Sequence, residues 1–209
     1  MKEIITAAKA AYWYISNPEN QYDDTHVHQY DFAAQTLTNR QDFAARLMTY
    51  IGQHPQRLLE IGAGTGLVSQ AIHRSHPDAI YSDREPAALA VLKKRLGHAA
   101  VVEADFYSLP FANQSFDTVV SVGAYRYVAP ERKQEFWDEM QRVITPDGRV
   151  IVAQFRPRIS HLRGIDIRNE STPNFVMTPI DTYTSSVQLG VLAIKSGLYD
   201  IYECRPTSA

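Results

Sequence analysis

Cysteine is nearly absent from this 209-residue chain. Its one thiol, Cys204, excludes an internal disulfide and any zinc site built on cysteine ligands. A lone thiol in an otherwise ordinary chain points to a reducing, cytoplasmic setting. An excess of one charge is missing as well. Lys and Arg number 21 against 23 Asp and Glu, for a net charge of −2, which disfavours a nucleic-acid binder but leaves room for a local basic patch. No apolar run approaches the roughly 18 residues of a membrane-spanning helix. The opening residues are broken by Lys2, Glu3 and Lys9, unlike a signal peptide. No segment repeats and none is low in complexity. The remainder is the composition of a soluble globular protein, 44% hydrophobic and 21% charged. Such a chain can bury a full core, yet it is short for separate cofactor and substrate domains.

Residues 1–55 carry many aromatics, among them Tyr12, Trp13, Tyr14, Tyr22, Tyr30, Phe32 and Phe43. Asn17-Pro18 interrupts the first helical stretch. The segment from Asp31 to Ile51 reads as one helix, with Phe43, Leu47 and Ile51 at i, i+4 and i+8 and Gly52 as its stop. From Arg57 the rhythm changes. Short apolar runs at 57–62, 79–83, 100–105, 116–124 and 149–155 read as strands. Helices are expected at 66–77, from Pro86 to Leu96, and from Pro130 through Val143. Five alternations of strand and helix predict an α/β fold, doubly wound around a mostly parallel, Rossmann-like sheet with helices on both faces. Residues 156–180 read as loop or short helix, 182–196 as a weaker helix ended by Gly197, and 198–204 as a last strand.

The junction of the first strand and helix is Glu60-Ile61-Gly62-Ala63-Gly64-Thr65-Gly66. Glycines there allow a sharp turn and let a ligand approach the backbone. Free N–H groups at a helix start lie beyond it. A dinucleotide fingerprint, G-x-G-x-x-G, would need its third glycine at 67, and that position is Leu67. Glu60, two residues before the first glycine, would repel a pyrophosphate and receive an ammonium group. The turn therefore suits a nucleoside-like ligand with a cationic tail.

These residues resemble the class I S-adenosylmethionine-dependent methyltransferases of the small ubiquinone-biosynthesis-like type. LLEIGAGTG resembles the family's first motif, and Asp83 matches the acidic residue at the end of strand two that binds the ribose hydroxyls. Asp105-Phe106, then Leu109-Pro110-Phe111, then Ser115-Phe116-Asp117 resemble the stretch around the adenine site. Residues 144–148 loosely resemble a proline-glycine turn of the family. The resemblance spans residues 57–155. It implies S-adenosylmethionine as cofactor, held by Glu60, Gly62, Ala63, Gly64, Gly66, Asp83, Arg84, Asp105, Phe106 and Ser121. It also implies an N-terminal helical lid over residues 1–55, on a cofactor-binding domain at 56–209. Tyr22 and Tyr30 are the lid residues placed near the methionine part, where an aromatic face stabilises a cation by about 0.5–2 kcal/mol. Asp83 as a helix cap and Asp105 as a loop cap stand as alternatives.

The chain departs from the family at the end of strand four. Relatives often have leucine and two histidines there, or Asn-Pro-Pro-Tyr; this chain has Tyr125, Arg126 and Tyr127. A phenol or guanidinium contact to the acceptor follows, with Tyr125 and Arg126 as substrate residues and Arg126 and Tyr127 as catalytic candidates. Arg126 paired with Glu131 or Asp138 is the alternative. His26 and His28 are candidate bases, or members of a polar loop. Six arginines at 142, 149, 156, 158, 163 and 168 suggest an anionic acceptor bound by Arg156, Arg158 or Arg163, or else a solvated basic surface. No metal site is expected. Four residues after Arg205 leave no length for a further strand, so about six strands are expected unless an element from 156–181 fills the seventh place. The activity expected is methyl transfer to a small-molecule O- or N-nucleophile. An RNA or protein methyltransferase, a non-catalytic binding protein and a nicotinamide-dependent reductase, the last disfavoured by Leu67, are the alternatives. A homodimer is left open.

Overall fold

The computed structural model describes residues 5, 6, 8, 9, 12, 26–37, 40–52, 55, 57–157, 172, 174–189 and 192–207. Residues 5, 6, 8, 9 and 12 are helical, and the helices α1 (Val27–Leu37) and α2 (Arg40–Ile51) precede the sheet. The single helix expected over 31–51 is thus a pair. Near the end of α1 the Thr36 hydroxyl donates to the Phe32 carbonyl at 2.7 Å, a back-bond of the kind that bends helices. α2 opens afresh with Asp42 in its first turn, where an acidic side chain suits the free N–H groups.

The alternating unit then follows: β1 (Leu58–Ile61), α3 (Ser69–Ser75), β2 (Ile80–Asp83), α4 (Pro86–Leu96), β3 (Ala100–Glu103), β4 (Phe116–Val122), α5 (Lys133–Val143), β5 (Ile144–Pro157), β6 (Phe175–Leu189) and β7 (Leu192–Pro206). α4 has the expected ends, with Pro86 in its first turn and Gly97 at φ +69 after its last residue. β1 to β5 pair in parallel, and β7 runs antiparallel to both β5 and β6. The order is β3-β2-β1-β4-β5-β7-β6, a sheet of seven strands. Where β4 meets β5, Phe116 pairs with Ile144 and Thr118 with Arg149. The expected turn at 145–148 is the slack between those two pairs.

The third part of the chain corrects the sequence reading. The sheet has seven strands where about six were expected, and the alternative left open is met in part: residues 175–189, which begin within 156–181, form a strand and not a loop followed by a helix. Thr182, Thr184 and Ser185 compete with a helix for backbone hydrogen bonds, and pairing with β7 supplies the ladder instead. Gly197 does not end a helix. It lies within β7 opposite Pro157 and Ser185, and a Cβ there would stand 2.5 Å from the Phe155 ring. The glycine makes room for an aromatic side chain.

The sheet is covered on both faces. On one side Leu59, Ile61, Val119, Val150, Val152 and Tyr202 pack with Phe136, Trp137 and Met140 of α5. On the other, Leu58, Tyr81, Val120, Ile151, Tyr199 and Ile201 pack with Phe43, Leu47 and Ile51 of α2, Ile72 of α3 and Leu92 of α4. Phe43 stacks on Tyr199 with ring centroids 3.8 Å apart. α2 is therefore part of the main core. Among the described residues, no helix is long and apolar enough to cross a membrane.

Candidate active site

β1 ends at Ile61 and the chain turns at once. Gly62, Gly64 and Gly66 all have positive φ, at +63, +55 and +82, a region L-residues with a Cβ rarely enter. Gly62 is required twice over, since a Cβ there would lie 2.2 Å from the Ala124 Cβ at the end of β4. The turn is held from the side of β2. The Gly64 N–H donates to Asp83 Oδ2 at 2.7 Å and the Ala63 N–H donates to the Ser82 carbonyl at 2.9 Å. Asp83 Oδ1 accepts from the Glu85 N–H at 3.0 Å, so the carboxylate also caps the approach to α4. Burial pushes the Asp83 carboxyl up, and these N–H donors oppose the shift.

Glu60 is 2% exposed. It lies on β1 opposite Tyr81 of β2 and Val120 of β4. Burial pushes its carboxyl up to about 8, with the Asp83 charge adding to the rise and the Ser69 hydroxyl and Arg40 opposing it. Its Oε2 is buried without a hydrogen-bond partner. A buried acid with an orphaned oxygen is costly unless a cationic or donor group joins it.

α1 and α2 reach the same turn. Asp31 of α1 accepts hydrogen bonds from the Thr65 hydroxyl and from Arg95 Nη2, and Arg95 Nη1 donates to the Thr65 carbonyl at 2.7 Å. Arg40, the first residue of α2, donates to the Tyr30 hydroxyl at 3.4 Å and lies 5.6 Å from the Tyr199 ring centroid. Sequence reasoning named Tyr30 but missed Asp31, Thr65, Arg95 and Arg40. Only Thr65 carried a signal, as the residue between two loop glycines.

Asp105 lies beside Asp83, because the Ala104 N–H donates to the Asp83 carbonyl at 2.9 Å. Its side chain is exposed, and its Oδ1 accepts from the Tyr107 N–H at 3.0 Å, which is the loop cap. Phe106 packs edge-on against Tyr107 and Phe136, at 4.7 and 5.6 Å between centroids. Arg142 fixes the following loop. It donates to the Leu109 and Phe111 carbonyls at 2.9 and 2.6 Å, and its partner Glu139 accepts from the Leu109 N–H.

Other expected site residues sit differently. Tyr125 is 2% exposed and packs among Phe136 and Trp137, with its hydroxyl accepting from Trp137 Nε1 at 3.3 Å. It is a core residue in this structure, because the turn after β4 folds its ring onto α5. Ser121 is fully buried with an orphaned Oγ, facing the α5 side of the sheet together with Gln154, whose Oε1 is also orphaned. Arg126 and Tyr127 are half-buried, the guanidinium 5.5 Å from the phenol ring centroid. Arg84 is exposed and pairs with Glu85 at 3.1 Å. His26 is half-buried and His28 exposed. Arg156 is a forked partner of the buried Asp200, at 2.9 and 3.2 Å. Tyr22, Arg158 and Arg163 lie outside the described residues. Among those described, no group of three or more His, Cys, Asp or Glu could hold a metal ion.

Residues 59–152 match the protein family described as a methyltransferase domain. Residues 59–152 thus form a methyltransferase domain of the class I S-adenosylmethionine-dependent type. It is 32% identical over 147 residues to the malonyl-[acyl-carrier protein] O-methyltransferase of Halorhodospira halophila, covering 68% of this chain and 49% of that one. It is 35% identical over 104 residues to the demethylmenaquinone methyltransferase of Clavibacter sepedonicus, covering 48% of this chain and 41% of that one. The chain thus spans half or less of the length of these curated relatives. A solved methyltransferase from Aquifex aeolicus shares the fold at a TM-score of 0.60 and 11% identity, over 88% of this chain and 99% of that one. The site fits S-adenosylmethionine, the cofactor of that domain family. Three glycines at positive φ ahead of α3, a buried acid with one orphaned oxygen for an ammonium group, and carboxylates at the ends of β2 and β3 are all present.

Proposed function

We propose that this methyltransferase moves the methyl group of S-adenosylmethionine to a small-molecule acceptor by direct displacement. The observation that carries the reading is the buried Glu60, two residues before the first glycine of the turn, with its Oε2 lacking a hydrogen-bond partner. That pairing asks for a ligand with an ammonium group and a polar body lying along backbone N–H groups. When bound, the cofactor supplies a methyl group on a sulfonium, whose carbon–sulfur electrons return to sulfur as the acceptor's lone pair takes the carbon.

The protein's work is placement and exclusion of water. Glu60 would release its proton to solvent and accept the ammonium group. Asp83 orders the turn and would accept from the ribose hydroxyls, and Asp105 and Phe106 would hold the adenine. The acceptor lies at the carboxyl ends of β4 and β5, the crevice expected of an open α/β sheet. There Ser121 and Gln154 offer buried polar atoms in want of a partner. Arg126 and Tyr127 border the same end. For a hydroxyl acceptor, Tyr127, His26 or His28 takes the proton.

A neutral acceptor fits the charges better than an anionic one. Arg142, Arg149 and Arg156 are engaged by Glu139, Glu203 and Asp200. An anion would fall to Arg126, or to Arg158 and Arg163. A cytoplasmic setting belongs to the same proposal and rests on the lone thiol. The test is transfer of labelled methyl from S-adenosylmethionine into small metabolites of a cell extract, with Asp83→Ala/Asp105→Ala as control. Label in a small product supports the reading. Label confined to RNA or protein, or binding of NADH in place of S-adenosylmethionine by calorimetry, would overturn it.

A further inference from the structure

We infer that Asp31 is a positioning residue, which makes the cofactor-binding shape of the glycine turn depend on helix α1 being docked. Asp31 and Thr65 are 34 residues apart in the chain. Both carboxylate oxygens are used, one by the Thr65 hydroxyl and the other by Arg95 Nη2. Arg95 returns to Thr65 through its carbonyl at 2.7 Å. Asp31, Thr65 and Arg95 thus close a ring that joins α1, the turn and α4. The ring is sheltered, with Asp31 8% and Thr65 2% exposed. Charge-assisted hydrogen bonds are stronger there than on an open surface.

Two features make this ring more than a packing detail. First, Thr65 stands between Gly64 and Gly66, both at positive φ. Glycine-flanked backbone has the most freedom to lose, so the turn needs external holds to keep its N–H groups in one arrangement. Asp83 is the hold from the sheet. Asp31 is the hold from α1.

Second, α1 buries little apolar surface among the described residues. Its buried apolar side chains are Val27, Ala33 and Ala34, and two alanines bury little apolar area. α2 by contrast buries Phe43, Leu47 and Ile51. Since apolar stabilisation scales with buried area, α1 relies on the Asp31 ring in a way that α2 does not rely on any polar contact. Docking of α1 and order in the turn are therefore one event. By linkage, whatever binds the ordered turn also holds α1 down.

The inference rests on the S-adenosylmethionine reading, and the experiment separates the two. Affinity for S-adenosylmethionine and S-adenosylhomocysteine is measured by calorimetry on the full chain, for wild type, Asp31→Asn, Thr65→Val and, as a control for charge removal, Asp42→Asn at an exposed position of α2. Hydrogen exchange of residues 27–37 and 62–66 is followed with and without ligand. Asp31→Asn keeps the size of the side chain and removes its charge. Affinity is expected to fall by about tenfold or more in Asp31→Asn and Thr65→Val, and to stay within about twofold of wild type in Asp42→Asn. Exchange in 27–37 is expected to quicken in the first two, and ligand is expected to slow it in wild type. The melting transition of the sheet should remain cooperative in every variant. Wild-type binding with unchanged affinity in Asp31→Asn overturns this inference alone, even if α1 exchanges faster. A wild type that binds neither compound overturns the cofactor reading and this inference with it.

Discussion

Glu60 concentrates the chemistry at the level of the single residue. Its carboxyl is pushed up to about 8 by burial, whereas in the unfolded chain it titrates near 4.3. The folded protein therefore holds a proton between those values that the unfolded chain has lost. Stability from this group is fully present below about pH 4 and is lost as pH rises toward 8, by on the order of a few kcal/mol. Glu60→Gln should flatten the decline, which thermal melts from pH 5 to 9 would check. Ligand binding should show the opposite slope. If Glu60 must ionise to accept an ammonium group, S-adenosylmethionine affinity rises with pH up to about 8, and Glu60→Gln abolishes that rise. Calorimetry in buffers of different ionisation heat would register the released proton. Gly62 makes a second residue-scale prediction. Gly62→Ala forces a contact on Ala124 at a positive φ, and should destabilise by about 2 kcal/mol or more. Adding Ala124→Gly should restore part of the loss by relieving the contact while leaving the backbone strain. The glycine pattern and Glu60 were legible in the sequence because backbone conformation and strand-end position are local properties. The partners of Thr65 were not, because Asp31 and Arg95 come from distant helices.

Among the elements, the β6–β7 hairpin is where tertiary pairing overruled local pattern. Residues 182–196 read as a weak helix, yet β6 finds its ladder in β7, and β7 finds its own in β6 and β5. A glycine has several uses, and Gly197 shows which one applies only when Phe155 is seen against it. Gly197→Ala should destabilise the protein by about 1–3 kcal/mol through that overlap. Phe155→Leu in the same chain should recover some of it, as chemical denaturation of the two variants would show. A Gly197→Ala protein as stable as wild type would contradict the packing reason. By contrast, α4 was legible to the residue. Pro86 and Gly97 act within one turn of their own position, and no distant contact is needed to set them.

At the scale of the molecule, the division at residue 55 takes on a different meaning. α2 lies before it, yet Phe43, Leu47 and Ile51 are each 1% exposed or less and fill the same core as Ile151 and Tyr199. Removing residues 1–39 should therefore leave a cooperative unfolding transition. Removing residues 1–52 should abolish it, since each large buried side chain lost costs about 2–5 kcal/mol. Calorimetric melts of the two truncations would distinguish them. α1, which buries only Val27, Ala33 and Ala34 among its apolar side chains, adds far less to that core.

The amino-acid sequence by itself determined the parallel α/β half of this protein and the cofactor class its turn accepts. Those follow from period, glycine spacing and short-range caps, which each act within a few residues. Only the tertiary structure decided the seventh strand, the burial of Tyr125 against α5, the pairing of Arg156 with Asp200, and the Asp31 ring around Thr65. Each of these joins residues far apart in the chain, and the energy of such contacts resides in pairs that no local stretch contains.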